Sequence, residues 1–350
     1  MAGRHAPDQP LHRARLWSSG SRRAAAIAVA GISIATLAMA APAVSPDRTE
    51  RRAGYRWSLV SSAAPYDGAY NFPVFVIRGE MWAFHPRGHW RSRDGLNWAR
   101  TALPLADLNP GYQKYVALDD AVYALGTLQG NYLDLHLTSR IARTRDLERW
   151  EIVAEESNLP PRVFYGAEVS DGKIWLMGGF DGKDYFNDVW SSTDAVHWTR
   201  VVEHAPWSPR NVAMTAVFDR RIWVIGGGVI DGEREINPDS QREVWSSADG
   251  SHWERGPDRE GSTWGGSPVV FDRKLWLIAA NRNSTFAPAV IVTEDGASWR
   301  EESAPWPARG APAVWVFDNK LYMTGGKYSE IENGAPRFIY RNDVWMMTGR

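Results

Sequence analysis

A block of about fifty residues recurs along this chain, and that period limits the folds open to it more than any single motif does. The clearest copy runs from "DGKIWLMGG", beginning at Asp171, through "NDVWSSTDAVHW", ending at Trp198. It returns as "DRRIWVIGG" and "REVWSSADGSHW" up to Trp253, and as "DRKLWLIAA" and "TEDGASW" up to Trp299. A last copy reads "DNKLYMTGG" and "NDVW" at the chain end.

Counting columns of the repeat gives the number of units. An aromatic residue follows the first turn of each block at Trp82, Tyr123, Trp175, Trp223, Trp276 and Tyr322, which makes six. A second column, the Trp after an Asp-containing turn, has five members: Trp98, Trp150, Trp198, Trp253 and Trp299. Its sixth lies at the other end of the chain. There Trp57 with Ala64, Pro65 and Tyr66 mirrors Trp198 with Ala205, Pro206 and Trp207, and Trp299 with Ala304, Pro305 and Trp306. Periods of this length mark propeller blades, so the pattern predicts an all-β ring of six four-stranded blades. Residues near Tyr55 to Ser61 would supply the outer strand of the last blade, pairing an edge that would otherwise stay open.

Within the clearest block, "AEVS" from Ala167 reads as the inner strand, Asp171 and Gly172 as a turn, and "KIWLMGG" as the second strand. "NDVWSS" reads as the third strand and "HWTRVV" as the outer one. The second strand is apolar without alternation, as expected where both faces of a sheet are buried between neighbouring blades. Asp, Gly and Asn fill the turns because they tolerate the backbone angles of tight hairpins. Nineteen tryptophans and 31 glycines suit such a protein, and the absence of cysteine excludes disulfides and thiolate metal sites.

Residues 1–43 have a different character. Arg4, Arg13, Arg15, Arg22 and Arg23 precede an uncharged stretch from Ala24 to Val44, and Ala38 and Ala40 fit an A-x-A cleavage site. This reads as a signal peptide. The stretch is also about as long as the roughly 20 residues that span a bilayer, so an uncleaved signal anchor is the alternative. Ser21, Arg22 and Arg23 hint at twin-arginine export, but alanines stand where that signal needs bulky apolar residues. Residues 44–54 read as a linker and 55–350 as the propeller, with a periplasmic or secreted location. The leader carries five of the 40 basic and one of the 41 acidic residues, leaving 35 against 40. A mildly acidic domain without a basic stretch argues against nucleic acid as a partner.

The double glycine at Gly178 and Gly179, then Tyr185 and Trp190 behind an apolar strand, resemble the kelch repeat. The match extends to the block ending at Trp253 and to the last block, with Gly325, Gly326 and Trp345. It weakens where Phe84 and His85, Gly126 and Thr127, or Ala279 and Ala280 replace the glycines. The resemblance spans residues 55–350 and implies a six-bladed kelch propeller, also the architecture of bacterial sialic acid mutarotases. It implies fold far more than function. Galactose oxidase has a related propeller, but that resemblance implies a copper site with a tyrosine cross-linked to cysteine, which a chain without cysteine cannot form. No cofactor is expected.

Sixteen of the 18 tryptophans outside the leader fall in repeat columns, where packing explains them. The two exceptions are Trp315, expected in the core or channel lining, and Trp264, in the Gly-rich loop "EGSTWGGS", a candidate ligand platform. Arginine is the other departure. Arg162, Arg210 and Arg309 each stand 13 residues before the second-strand aromatic of their block, where the other blocks have Ala69, Pro110 and Thr263. That position lies in the loop leading into each inner strand, so the three should share one face near the channel. Guanidinium groups there would attract an anionic ligand through bidentate pairing; the alternative is a salt bridge or backbone hydrogen bond tying adjacent blades.

The remaining motifs carry less. Asp231, Glu233, Glu235 and Asp239 crowd one loop without the Gly and Glu spacing of an EF-hand, and read as a solvated acidic loop. His85 and His89 lack a third ligand for metal. The turns "SRDGLNW", "STDAVHW", "SADGSHW" and "TEDGASW" are similar to the Asp-box of sialidases, one residue shorter between Asp and Trp, and imply a fold element rather than hydrolysis. The chain is therefore expected to bind a ligand at its loop-rich face, an acidic saccharide above others, through Arg162, Arg210, Arg309 and Trp264. A sugar mutarotase or epimerase and a protein-interaction scaffold are the alternatives, and the sequence singles out no catalytic pair.

Overall fold

The computed structural model describes residues 54–101, 114–131, 134–228, 238–261, 263–282, 286–333 and 335–349. The expected leader over 1–43 lies outside the described residues, as do Asp231, Glu233 and Glu235 of the acidic loop. Six four-stranded antiparallel sheets follow one another. Blade one is built from Val74–Ile77, Glu80–His85, Gly88–Ser92 and Ala99–Arg100. Blade two uses Lys114–Leu118, Ala121–Asn131, Asp134–Thr144 and Glu151–Ala154. Blade three uses Gly166–Ser170, Lys173–Phe180, Tyr185–Ser192 and Thr199–Val202. Blade four uses Met214–Phe218, Arg221–Ile225, Val244–Ser247 and Glu254–Arg255, and blade five Ser267–Phe271, Lys274–Ile278, Ala289–Thr293 and Trp299–Ser303.

Blade six closes the ring as the repeat count predicts. Its inner strands are Ala313–Phe317, Lys320–Thr324 and Val344–Thr348, and its outer strand is Arg56–Ser61 from the other end of the domain. Trp57 pairs with Met347 and Leu59 with Trp345 across that ladder. The mirrored motifs meet in space: Trp306 packs edge-on against Trp57 at 4.3 Å between ring centroids, as Trp207 does against Trp253 at 4.5 Å. Tyr66, beyond the closing strand, packs in the same manner against Trp98 of blade one at 5.7 Å.

The two aromatic columns explain how blades stack. A Cβ on Gly250 would lie 2.0 Å from the ring of Trp175 in the preceding blade, and one on Gly296 the same distance from Trp223. Both glycines have φ near +74°, so the turn needs glycine for its backbone and for the neighbour's indole. In the same turn Asp295 accepts the amides of Ser298 and Ala297, which hold its carboxyl at about 2, and the Trp299 indole donates to Gly296 O. The Asp-box-like sequence is a turn, repeated with Asp94, Asp146, Asp194 and Asp249. One boundary differs from expectation: Trp198 belongs to this turn, and the outer strand starts at Thr199.

Candidate functional site

The three repeated arginines end up in one arrangement, built three times. Nε of Arg162, Arg210 and Arg309 donates to the carbonyl two residues earlier, on Pro160, Ser208 and Pro307, at 3.2, 3.0 and 3.3 Å. Nη1 donates to the first glycine carbonyl of the double-glycine motif, on Gly178, Gly226 and Gly325, at 3.1, 2.9 and 3.0 Å. The guanidinium then pairs with a carboxylate in or just before the third strand: Asp188 at 2.6 and 3.1 Å, Asp343 at 2.6 and 2.7 Å, and Glu243. Each carboxylate also accepts the indole N–H two residues on, from Trp190, Trp245 and Trp345, at 2.6, 3.1 and 2.7 Å.

The arginine side chains are 1%, 1% and 0% exposed. The expectation of a guanidinium mouth open to an anion therefore gives way to a buried salt bridge within each blade, not the tie between adjacent blades that the alternative expected, because these donors are already committed to their own blade's strands. The other blades supply an internal control. Where Ala69, Pro110 and Thr263 replace arginine, Gly88, Arg140 and Ala289 stand at the carboxylate's position two residues before the register partner of the second strand. Arginine and carboxylate are present or absent together. Blade one keeps the tryptophan, Trp90, and its buried indole nitrogen has no partner among the described residues.

The other sequence candidates are scattered. Trp264 lies on a two-residue ladder, Thr263–Trp264 with Asn281–Arg282, and its side chain is outside the described residues. Trp315 is core, 4% exposed and stacked on Tyr322 at 5.4 Å. His85 and His89 are buried among Tyr66, Phe72, Phe84 and Trp150, and His85 Nε2 meets Asp67 O. Asp239 falls in the short 3-10 turn Pro238–Gln241.

A cluster absent from these expectations sits where the inner strands of blades two, three and four meet. Glu168, at the centre of Gly166–Ser170, accepts a 2.7 Å hydrogen bond from Thr215 Oγ1 on the inner strand of blade four. Lys114, the first residue of blade two's inner strand, acts on the same carboxyl electrostatically. Tyr165 seals the layer beneath: its hydroxyl donates to Leu125 O at 2.6 Å and accepts from the Lys114 backbone amide. Gly166 leaves room for Thr215, whose methyl would lie 2.2 Å from a Cβ there.

Burial dominates the electrostatics. It pushes the Glu168 carboxyl up from 4.5 to about 7, against the hydrogen bond from Thr215 and the charge of Lys114. Burial likewise lowers the Lys114 ammonium, and the Glu168 charge opposes that shift. Both residues are half-buried. A carboxyl titrating near neutrality exchanges protons readily with a bound hydroxyl, and the adjacent cation favours an anionic ligand.

The register shows what sequence reading could have found. Facing the second-strand aromatics, the inner strands carry Phe75, Val116, Glu168, Ala216, Val269 and Trp315 in blades one to six. One carboxylate stands in a column that is otherwise apolar. The signal was present, but it depends on an inner-strand register that the second-strand aromatics fix only once the hairpins are aligned.

Known proteins agree with this architecture. The family model described as the Kelch motif matches residues 161–191, from the loop that carries Arg162 through the third strand of blade three. No curated protein matches the sequence. Among solved structures, one titled "Structure of YjhT" is similar with a TM-score of 0.63 at 12% sequence identity, covering 83% of this chain and 97% of that one. At that identity the likeness concerns fold alone. The arginine, double glycine, carboxylate and tryptophan that recur in blades three, four and six thus sit within and beyond the matched motif, and the chain is a six-bladed propeller of the kelch type.

Proposed function

We propose that this propeller binds an acidic saccharide at the loop-rich end of its axis, in an extracytoplasmic setting. Lys114 is the cation that meets the ligand's carboxylate, and Glu168 exchanges protons with its hydroxyls. The observation that carries this reading is the Glu168–Thr215–Lys114 cluster, polar and half-buried, at inner-strand positions that other blades fill mainly with apolar residues. Lys114 opens its strand on the side from which the inter-blade loops enter. The resemblance to sialic acid mutarotases supports the saccharide, and the sequence of residues 1–43 supports export.

Glu168 also favours a second reading, mutarotation of that sugar. As carboxylate it would take the anomeric hydroxyl proton while a solvent water gives one to the ring oxygen and the bond from the anomeric carbon to that oxygen breaks. Reclosure on the other face of the carbonyl returns both protons. A carboxyl near pKa 7 suits both directions at neutral pH.

Thermal-shift measurements on the full chain with sialic acid, glucuronate, galactose and glucose test the binding claim. Stabilisation by the acidic sugars alone, lost in Lys114→Met, is expected; equal shifts with neutral sugars would overturn it. NMR of anomer exchange tests the enzymatic reading. A rate equal to buffer for the wild type, or an unchanged rate in Glu168→Gln, removes it.

A further inference from the structure

Between the second and third strands of blade six, the hairpin Lys327–Glu332 with Ala335–Tyr340 stands out from the ring. Its register pairs Lys327 with Tyr340 and Ser329 with Phe338, so these residues share one face with Ile331. On that face Ile331, Phe338 and Tyr340 are 69%, 41% and 46% exposed. Tyr70, from the loop entering blade one, stacks on Tyr340 with centroids 5.8 Å apart. The Lys327 ammonium lies 4.0 Å from the centroid of Tyr70 and 5.2 Å from that of Phe338.

Among the described residues the ammonium has aromatic faces for company rather than a carboxylate. Its pKa is lowered by burial alone. The hairpin's own acids are on the other face, where Glu330 accepts from Tyr328 and Glu332 from Arg337. A cation held against ring faces gains from their quadrupoles, yet it keeps its N–H donors for an incoming anion.

The platform is also fixed in place. Lys327 exchanges two backbone hydrogen bonds with Gly310, at 2.7 and 3.0 Å, and Arg341 N donates to Gly326 O at 2.9 Å. Ala69 N donates to Arg341 O, and Gly68 packs so closely that a Cβ there would lie 2.5 Å from Tyr340 O. Aromatic rings and cation are thereby set before any ligand arrives, which lowers the ordering cost of binding.

We propose that Tyr70, Lys327, Phe338 and Tyr340 form a saccharide-binding platform at the seam of blades six and one, taking a carboxylate-bearing pyranose unit of an oligosaccharide. The exposed rings stack on the C–H face of the sugar, and Lys327 pairs with its carboxylate. A protein partner fits less well, because among the described residues the large exposed apolar side chains of this hairpin are three, whereas a stable interface buries at least about 1,000 Å². The platform is independent of the Lys114–Glu168 cluster and does not rest on the function proposed for it.

Calorimetric titration of the full chain with a galacturonate tetramer and with maltotetraose tests this. The acidic tetramer should bind, and Lys327→Met and Phe338→Ala should each weaken it at least tenfold, while Lys114→Met leaves that platform binding in place. Thermal melts of both platform variants check that they fold. Absence of tetramer binding, equal affinity for maltotetraose, or a tetramer affinity unchanged in both platform variants would overturn the proposal. Loss in Lys114→Met alone would assign the tetramer to the axis and likewise refute the platform.

Discussion

Removing one partner of a buried arginine tie should be costly in a way that loss of a ligand contact is not. In Arg309→Met, the 0%-exposed guanidinium that pairs with Asp343 at 2.6 and 2.7 Å disappears, and with it the hydrogen bond to Gly325 O. Asp343, its side chain 15% exposed, is then left with the Trp345 indole as its side-chain donor among the described residues. The Arg309 charge helps hold the Asp343 carboxyl below its ordinary value against the burial that raises it, so loss of that charge lets it rise. Breaking a buried ion pair in this way costs about 3–5 kcal/mol. For a domain of this size that lowers Tm by roughly 6–15 °C. The double variant Arg309→Met, Asp343→Leu removes the orphaned charge and should regain a large part of the loss. The assay is a double-mutant cycle by urea unfolding with the circular dichroism of the strands as readout. A single variant within about 0.5 kcal/mol of wild type would refute the tie as a structural element.

Glu168→Gln should stabilise the fold, and by more as pH rises. The folded carboxyl titrates near 7 against 4.5 in the free state, so the native state holds its proton more tightly; the penalty is absent below pH 4.5, grows through the interval and is complete above 7. At about 1.36 kcal/mol per unit the gain reaches roughly 3 kcal/mol at pH 8 and vanishes at pH 4. Urea midpoints at the two pH values measure it, and a pH-independent difference would contradict the shift. Gly250→Ala should lose about 2–4 kcal/mol, because the new methyl meets the Trp175 ring at 2.0 Å and sits at φ +74°. An unchanged melting temperature would remove that blade contact. Deleting residues 55–61 opens the blade-six ladder to Val344–Thr348 and should lower Tm for the whole ring, whereas an unaltered melt would mean that the ring closes without it.

Much of the fold was legible because each blade repeats the same physical task. Columns of Trp, Tyr and Gly mark where a ring of one blade meets the turn of the next, and their count alone placed Trp57 in the outer strand of blade six. Arg162, Arg210 and Arg309 were visible as a column too, but their partners were not identified from spacing. Asp188, Glu243 and Asp343 follow at separations of 26, 33 and 34 residues, set by hairpins of different length. Glu168 was hidden differently. Its significance comes from Thr215 and Lys114 on adjacent blades, a contact made by the ring and by no local motif. Lys327 and Tyr70 share that property, since 257 residues of chain separate two groups that touch only because the last blade lies beside the first.

The pKa of Glu168 itself tests the central claim most directly. NMR of the full chain with glutamate side chains labelled at the carboxyl carbon, with Glu168→Gln to assign the signal, follows its titration with and without sialic acid. A midpoint near pH 7 that moves on adding the acidic sugar is the result the account requires. A midpoint at the ordinary value near 4.5, indifferent to the sugar, would contradict it.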